Sequence, residues 1–166
     1  MDFGRISVLV LDVDGVLTDG HLAFGDAGES VKTFCVQDGW AIKCWQRASH
    51  RAVVLSGRQN PAVDRRADEL GIALIRQGVG DKGVAYGQLC DELGVRDENV
   101  CYVGDDWPDL PAMSRCGFPV AVANAAGAVK RVSKYVTKRR GGDGAVAEVI
   151  ELVLRKQRRW PPELFS

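Results

Sequence analysis

Ile6-Ser7-Val8-Leu9-Val10-Leu11-Asp12-Val13-Asp14-Gly15-Val16-Leu17-Thr18-Asp19-Gly20 is the stretch on which the fold turns. It begins as an uncharged, β-branched run of strand length and ends in two carboxylates one residue apart, Asp12 and Asp14. Strand side chains alternate between faces, so a turn just past the strand end must bring both acids toward one site. Like charges held that close repel, and each raises the other's pKa unless a cation or a shared proton compensates. The pair is either a place where a metal or a proton transfer is needed, or a busy turn.

Working outward, short apolar strands alternate with amphipathic helices. The strands are expected at about 6–12, 52–56, 72–76, 99–104 and 119–123, with a weaker one near 134–137. Helices are expected at about 39–49, 61–70, 82–93, 109–115 and 126–132, and a last one runs from Gly144 to about Trp160. Asn60 is suited to cap a helix that opens on Pro61, Asp38 and Asp81 to cap their neighbours, and Gly71, Gly94 and Gly117 to stop helices. This alternation predicts an α/β fold, a doubly wound parallel sheet covered on both faces. Residues 21–34 break it and read as a β-hairpin around Gly25-Asp26-Ala27-Gly28, inserted between the first strand and the first helix. The hairpin is too small to be a lid, so the site of a fold this short is open unless another subunit closes it.

The totals are those of a soluble globular chain. Its 166 residues predict one domain over 1–160 with a loosely ordered tail at 161–166. Lys plus Arg and Asp plus Glu balance at 22 each, so no global field recruits nucleic acid or an anionic membrane. No apolar run approaches a membrane span, and the start lacks the regions of a signal peptide; the expected compartment is the cytoplasm. Five scattered cysteines with no C-x-x-C pair argue for buried thiols rather than a disulfide framework or a zinc site. The basic run Arg155-Lys156-Gln157-Arg158-Arg159 reads as a solvated helix end.

Four signals fall at predicted strand ends, where open α/β sheets bind ligands: Asp12 with Asp14, then Ser56-Gly57-Arg58, then Asp81-Lys82-Gly83, then Asp105-Asp106-Trp107-Pro108-Asp109. Taken singly, each has an ordinary structural explanation, as a turn, a solvated lysine or a capped helix start. Together they are complete for phosphoryl transfer. A phosphate dianion needs donors and charge neutralisation while a nucleophile attacks in line, and a carboxylate can be that nucleophile. Carboxylates with no soft ligand nearby select Mg²⁺. Ser56 can donate to a phosphate oxygen and Lys82 can neutralise it.

These residues also carry a resemblance. Asp12 to Gly20, Leu55-Ser56-Gly57-Arg58, Asp81-Lys82-Gly83 and Gly104-Asp105-Asp106-Trp107-Pro108-Asp109 are similar, in order and spacing, to the four motifs of the haloacid dehalogenase (HAD) superfamily phosphatases. With the hairpin, Val36-Gln37-Asp38-Gly39, Gln77-Gly78 and Gly141-Gly142-Asp143-Gly144-Ala145-Val146, the chain from about 6 to 155 resembles the capless 3-deoxy-D-manno-octulosonate 8-phosphate (KDO 8-phosphate) phosphatase family. The resemblance implies a HAD-like three-layer α/β/α fold with no cap domain. It implies Asp12 as nucleophile and Asp14 as general acid/base, the latter with a raised pKa. Mg²⁺ would be held by the Asp12 and Asp105 carboxylates and the Asp14 carbonyl. The phosphoryl group would be bound by Ser56, Gly57 and Lys82, and the substrate carboxylate or phosphate by Arg58. Asp106 and Asp109 would stand behind the metal, orienting its water and Lys82.

The resemblance further implies a homotetramer with hairpins assembled centrally, the C-terminal tail of one subunit at the neighbour's site, and a place in lipopolysaccharide biosynthesis. One feature departs from the family. Its glycine loop carries a cation where this chain has Asp143, with an Arg a few residues on where this chain has Ala147, and a carboxylate near an anionic substrate repels it. Phosphatases of nine-carbon sugar acid 9-phosphates (KDN or sialic acid type) and generalist sugar phosphatases therefore stay open as alternatives. A catalytically silent partner of a sugar-nucleotide synthase is disfavoured by the intact Asp12, Asp14, Ser56, Lys82 and Asp105. A phospho-acceptor receiver module is disfavoured because the third strand runs into Ile75-Arg76-Gln77-Gly78 with no Asp.

Overall fold

The computed structural model describes residues 2–26 and 28–160. The expected tail at 161–166 and Ala27 of the expected hairpin turn lie outside the described residues. The opening run forms β1 (Val8–Leu11), whose four side chains are all buried. Then come β2 (Ala23–Gly25), β3 (Gly28–Val31), α1 (Val36–Arg47), β4 (Arg51–Leu55), α2 (Pro61–Leu70) and β5 (Leu74–Arg76). The second half holds α3 (Lys82–Leu93), β6 (Val100–Gly104), α4 (Leu110–Met113), β7 (Phe118–Ala121), α5 (Gly127–Val132), β8 (Tyr135–Val136) and α6 (Ala145–Lys156).

Among the described residues the strands form a six-stranded sheet in the order β5-β4-β1-β6-β7-β8, every pair parallel, and β2 and β3 form a separate antiparallel hairpin. This is the predicted doubly wound sheet with the predicted insertion, and the described residues contain no cap domain. Helix α1 packs on α6 and α2, whereas α3 packs on α4 and α4 on α5, one set for each face of the sheet. Chain order reverses between β1 and β6, which opens a crevice at their C-terminal ends. Asp12 and Asp105 follow those two strands directly.

Several local readings meet the structure and three do not. Asn60 accepts the Ala62 N–H at 2.8 Å with Pro61 in the first turn, and Asp81 accepts from Gly83 and Val84. Gly71 and Gly94 end their helices in the left-handed conformation. After Gly71 the Ile72 N–H still bonds back to Ala67 at 2.9 Å, so β5 starts two residues later than expected. Asp38 does not cap α1, which begins three residues earlier than expected, after Cys35. It lies in the first turn of α1 and accepts the Ala147 N–H at 2.8 Å, supplying an acceptor to α6, whose own cap residue Gly144 has no side chain to offer. Gly117 is no left-handed helix stop; its backbone runs so close to Glu98 that a Cβ would meet backbone atoms at 2.7–2.9 Å. The loop Gly141-Gly142 packs on the β1 turn: the Gly142 N–H bonds to Val16 O, and a Cβ at Gly141 would meet Gly15 O at 1.7 Å.

Candidate active site

Past β1 the chain turns through Val13–Leu17, a wide helical turn closed by the Thr18 N–H on Val13 O at 3.0 Å. Gly15 inside it has φ +93, a conformation that side chains rarely adopt, and a Cβ there would stand 2.1 Å from Asp105 Oδ2. The turn therefore brings the β1 acids and the β6 acid face to face. Asp12, Asp14, Ser56, Gly57, Arg58, Lys82, Asp105, Asp106 and Asp109, all expected from the sequence, line one cavity of about 260 Å³ together with Gly20 and Pro108.

Lys82, at the first position of α3, sends a buried ammonium between two carboxylates: Asp12 Oδ1 and Asp109 Oδ1 both lie at 2.7 Å. Taking these charges out of water is costly, and a buried ion pair is no guarantee of stability. Asp109, fully buried, uses both oxygens: Oδ1 also accepts from Tyr102 OH at 2.9 Å, and Oδ2 accepts the amides of Asp105 and Asp106 at 3.0 and 3.2 Å. Asp109 thereby fixes Lys82 and the turn that carries Asp105. Ser56 is buried at the end of β4, where its Oγ accepts the Arg58 N–H at 3.3 Å. Arg58 brings its Nε to 3.7 Å from Asp14 Oδ2.

The electrostatics of the site suit a bound cation. Burial, then the Asp109 charge, pushes the Asp12 carboxyl up to about 6 in spite of Lys82. Burial, then Asp12 and Asp109, pushes Asp105 up to about 8. Burial alone would lower Lys82, but Asp12 and Asp109 outweigh it and the net shift is upward. Asp12, Asp105 and Asp109 bring carboxylate oxygens within 4.8 Å of one another. Asp105 Oδ1 is buried with no hydrogen-bond partner. An unsatisfied carboxylate oxygen facing other hard oxygens fits a divalent cation of the Mg²⁺ type. Asp109 already spends its oxygens on four donors, which leaves Asp12 and Asp105 as the carboxylates open to the ion.

Some contributors were not foreseen. Lys32 pairs with Asp14 Oδ1; in Val31-Lys32-Thr33 it reads as a solvated charge, and no local signal distinguishes it. Tyr102 stands in a buried apolar strand, and a buried hydroxyl needing a partner was the available signal. Asn124 ties the site's floor together: its Nδ2 donates to Gly15 O at 3.3 Å and its Oδ1 accepts the Gly141 N–H at 2.7 Å. Asp143 is exposed and is not among the residues lining the cavity of its own chain.

The doubly wound sheet with acids after β1 and β6 and a lysine opening α3 defines a haloacid dehalogenase-like hydrolase, and residues 72–150 match the sequence profile of that family. The chain is 42% identical over 153 residues to the 3-deoxy-D-manno-octulosonate 8-phosphate phosphatase of Escherichia coli K12, covering 92% of this chain and 81% of that protein. It is 41% identical to the same phosphatase of Yersinia pestis, again over 92% of this chain and 82% of that one. The Moraxella catarrhalis enzyme, solved in complex with magnesium, phosphate and a KDO molecule, is similar with a TM-score of 0.92 and 39% identity, over 95% of this chain and 91% of that one. The cobalt-bound Haemophilus influenzae phosphatase matches with a TM-score of 0.92 and 41% identity, over 95% and 92%. This chain belongs to the KDO 8-phosphate phosphatase family of HAD-like phosphatases.

Proposed function

We propose that the chain is a Mg²⁺-dependent phosphomonoesterase whose substrate is a phosphorylated eight-carbon sugar acid, 3-deoxy-D-manno-octulosonate 8-phosphate, hydrolysed through an aspartyl phosphate on Asp12. The observation that carries the reading is Lys82 held between Asp12 and Asp109 beside the unpartnered Asp105 Oδ1, one cation in place and a second called for. Asp12 and Asp105, with the Asp14 carbonyl, would hold Mg²⁺, whose charge offsets the repulsion between the nucleophile and the phosphate. Ser56, the Gly57 amide and Lys82 receive the phosphoryl oxygens. Asp12 attacks phosphorus in line as the sugar oxygen departs with a proton from Asp14; Asp14 then takes a proton from the water that cleaves the acyl phosphate. Arg58, 45% exposed at the cavity wall, presents its guanidinium to the substrate's anionic end. Asp109 and Asp106 keep Lys82 and the β6 turn in place.

Asp143 lies outside the cavity of its own chain, so its carboxylate does not oppose an anionic substrate there and leaves the eight-carbon substrate unhindered. The relatives support the eight-carbon substrate. We place the chain in lipopolysaccharide biosynthesis in the cytoplasm; its five cysteines are free thiols, and no described helix is long and apolar enough to cross a membrane. It acts as a homotetramer. The hairpin exposes Leu22, Phe24 and Val31, an apolar surface suited to a second copy.

The test is phosphate release from the eight-carbon sugar acid phosphate before and after chelation. Activity should vanish with the metal and return with added Mg²⁺, and Asp12→Asn should lose turnover by at least about a thousandfold while its far-UV circular dichroism matches the parent's. Undiminished activity after exhaustive chelation contradicts the metal, and substantial turnover by Asp12→Asn contradicts the nucleophile.

A further inference from the structure

The hairpin holds one side chain that does not behave like its neighbours. Leu22, Phe24 and Val31 are exposed, yet Lys32, the residue after β3, has a side chain only 2% exposed. A lysine at a hairpin base ordinarily runs its stem along the surface and keeps its ammonium in water. Here the ammonium is taken out of water, a costly arrangement unless a counter-charge receives it. The counter-charge is Asp14: Lys32 Nζ donates to Asp14 Oδ1, while the Arg58 Nε stands 3.7 Å from Oδ2. Each oxygen of this carboxylate thus has its own cation.

The two cations approach from different sides. Arg58 lines the same cavity as Asp12, Lys82 and Asp105, where a substrate would lie. Lys32 does not line that cavity; its stem borders a separate hollow of about 230 Å³ with Thr18, Leu22 and Val31. From beside that hollow, and not from the cavity, it contacts Asp14 Oδ1. A substrate entering the cavity can draw on Arg58, 45% exposed, while the Lys32 contact stays out of its way.

We propose that Lys32 is a positioning residue for Asp14: the hairpin's buried ammonium pins Oδ1, so that the carboxyl presents its other oxygen to the leaving group. This rests on the reading of Asp14 as the group that protonates the departing sugar oxygen. It also gives the hairpin a second task, since its outer side is the proposed subunit contact and its base holds the acid/base residue. Orientation is worth much in such a step, and a displacement of about 1 Å can lower a rate about a hundredfold.

The experiment compares Lys32→Met, Lys32→Arg and Asp14→Asn in the full-length, Mg²⁺-loaded protein on two substrates. One is the sugar acid phosphate, whose leaving oxygen needs a proton. The other is p-nitrophenyl phosphate, whose nitrophenolate leaves without one. Lys32→Met should lower kcat/KM on the sugar phosphate about tenfold to a hundredfold and on nitrophenyl phosphate by less than about threefold, because kcat/KM covers the steps up to the aspartyl phosphate and leaves out the water attack, in which Asp14 serves both substrates alike. Lys32→Arg, which keeps a cation, should recover most of the loss. Should Lys32→Met melt early, Lys32→Gln reads the same ratio of the two substrates. Equal losses on both substrates, or none on either, overturn the role of Lys32 when Asp14→Asn itself discriminates between the leaving groups. If Asp14→Asn loses both equally, the acid/base reading falls and the inference falls with it.

Discussion

Asp12 and Asp105 face each other across the reversal point of the sheet with more negative charge than Lys82 alone can offset, and their protonation records this. A carboxyl whose pKa is raised on folding holds its proton longer in the folded chain than in the unfolded one. Between the two pKa values the folded state binds more protons, so stability falls as pH rises through that window. For the metal-free protein the window opens near the ordinary 3.8 and closes near about 6 for Asp12 and about 8 for Asp105. Above it the penalty is constant, and below it the penalty is absent. A bound cation takes the place of those protons, so Mg²⁺ affinity rises with pH over the same window. Added to chelated protein, Mg²⁺ should raise the Tm by several degrees more at about pH 8 than at about pH 5, as read by calorimetry; an equal rise at both would contradict the assignment of these two carboxylates to the metal. At this scale the site was largely legible. Asp12, Asp14, Ser56, Lys82 and Asp105 announce themselves as acids, a hydroxyl and a lysine at strand ends. Lys32 does not, because what sets it apart is burial against a residue 18 positions earlier in the chain.

The elements were read from periodicity and punctuation, and those signals succeed where a helix or strand carries its own instructions. Asn60-Pro61 and Asp81 start helices with bonds to amides two or three residues on, and Gly71 and Gly94 stop them locally. Asp38 shows the limit. Its position before Gly39-Trp40 suggests a cap for the nearest helix, but the acceptor serves α6, packed on α1 and more than a hundred residues away. Nothing in local spacing encodes that docking. Burial foremost raises the Asp38 carboxyl, against the amides of Ala147, Gly144 and Val146, which lower it. Removing the acceptor leaves the start of α6 unsatisfied at a buried contact, so Asp38→Ala should cost about 1–2 kcal/mol in urea unfolding without moving the cavity residues. A cost indistinguishable from zero would mean that water replaces the cap. Gly15 and Gly141 belong to the same scale. Their lack of a Cβ lets the β1 turn touch Asp105 on one side and the 141–142 loop on the other. Gly141→Ala, with its Cβ built 1.7 Å from a carbonyl oxygen, should displace that turn and lower both stability and turnover.

For the molecule as a whole, the doubly wound sheet gathers the candidate residues at the C-terminal ends of its strands, and among the described residues the small hairpin is the insertion there, with no cap domain over the crevice. The hairpin turns apolar side chains outward, Phe24 being 66% exposed. The proposed tetramer gives this surface something to cover. Phe24→Lys should dissociate the assembly, so that the light-scattering mass falls from four times that of one chain toward a single chain, while the sheet core, buried without the hairpin, stays folded. A parent protein that runs as a monomer would remove the tetramer from the account. The central claim is the pairing of this open acidic crevice with a phosphorylated sugar acid, and it is tested most directly by kcat/KM of the Mg²⁺-loaded full-length protein on matched substrates. The eight-carbon sugar acid 8-phosphate should exceed the nine-carbon 9-phosphate, and should exceed simple hexose phosphates by about a hundredfold or more, the scale expected when charged groups meet a carboxylate that a competitor lacks. Comparable slow rates on all three would contradict it.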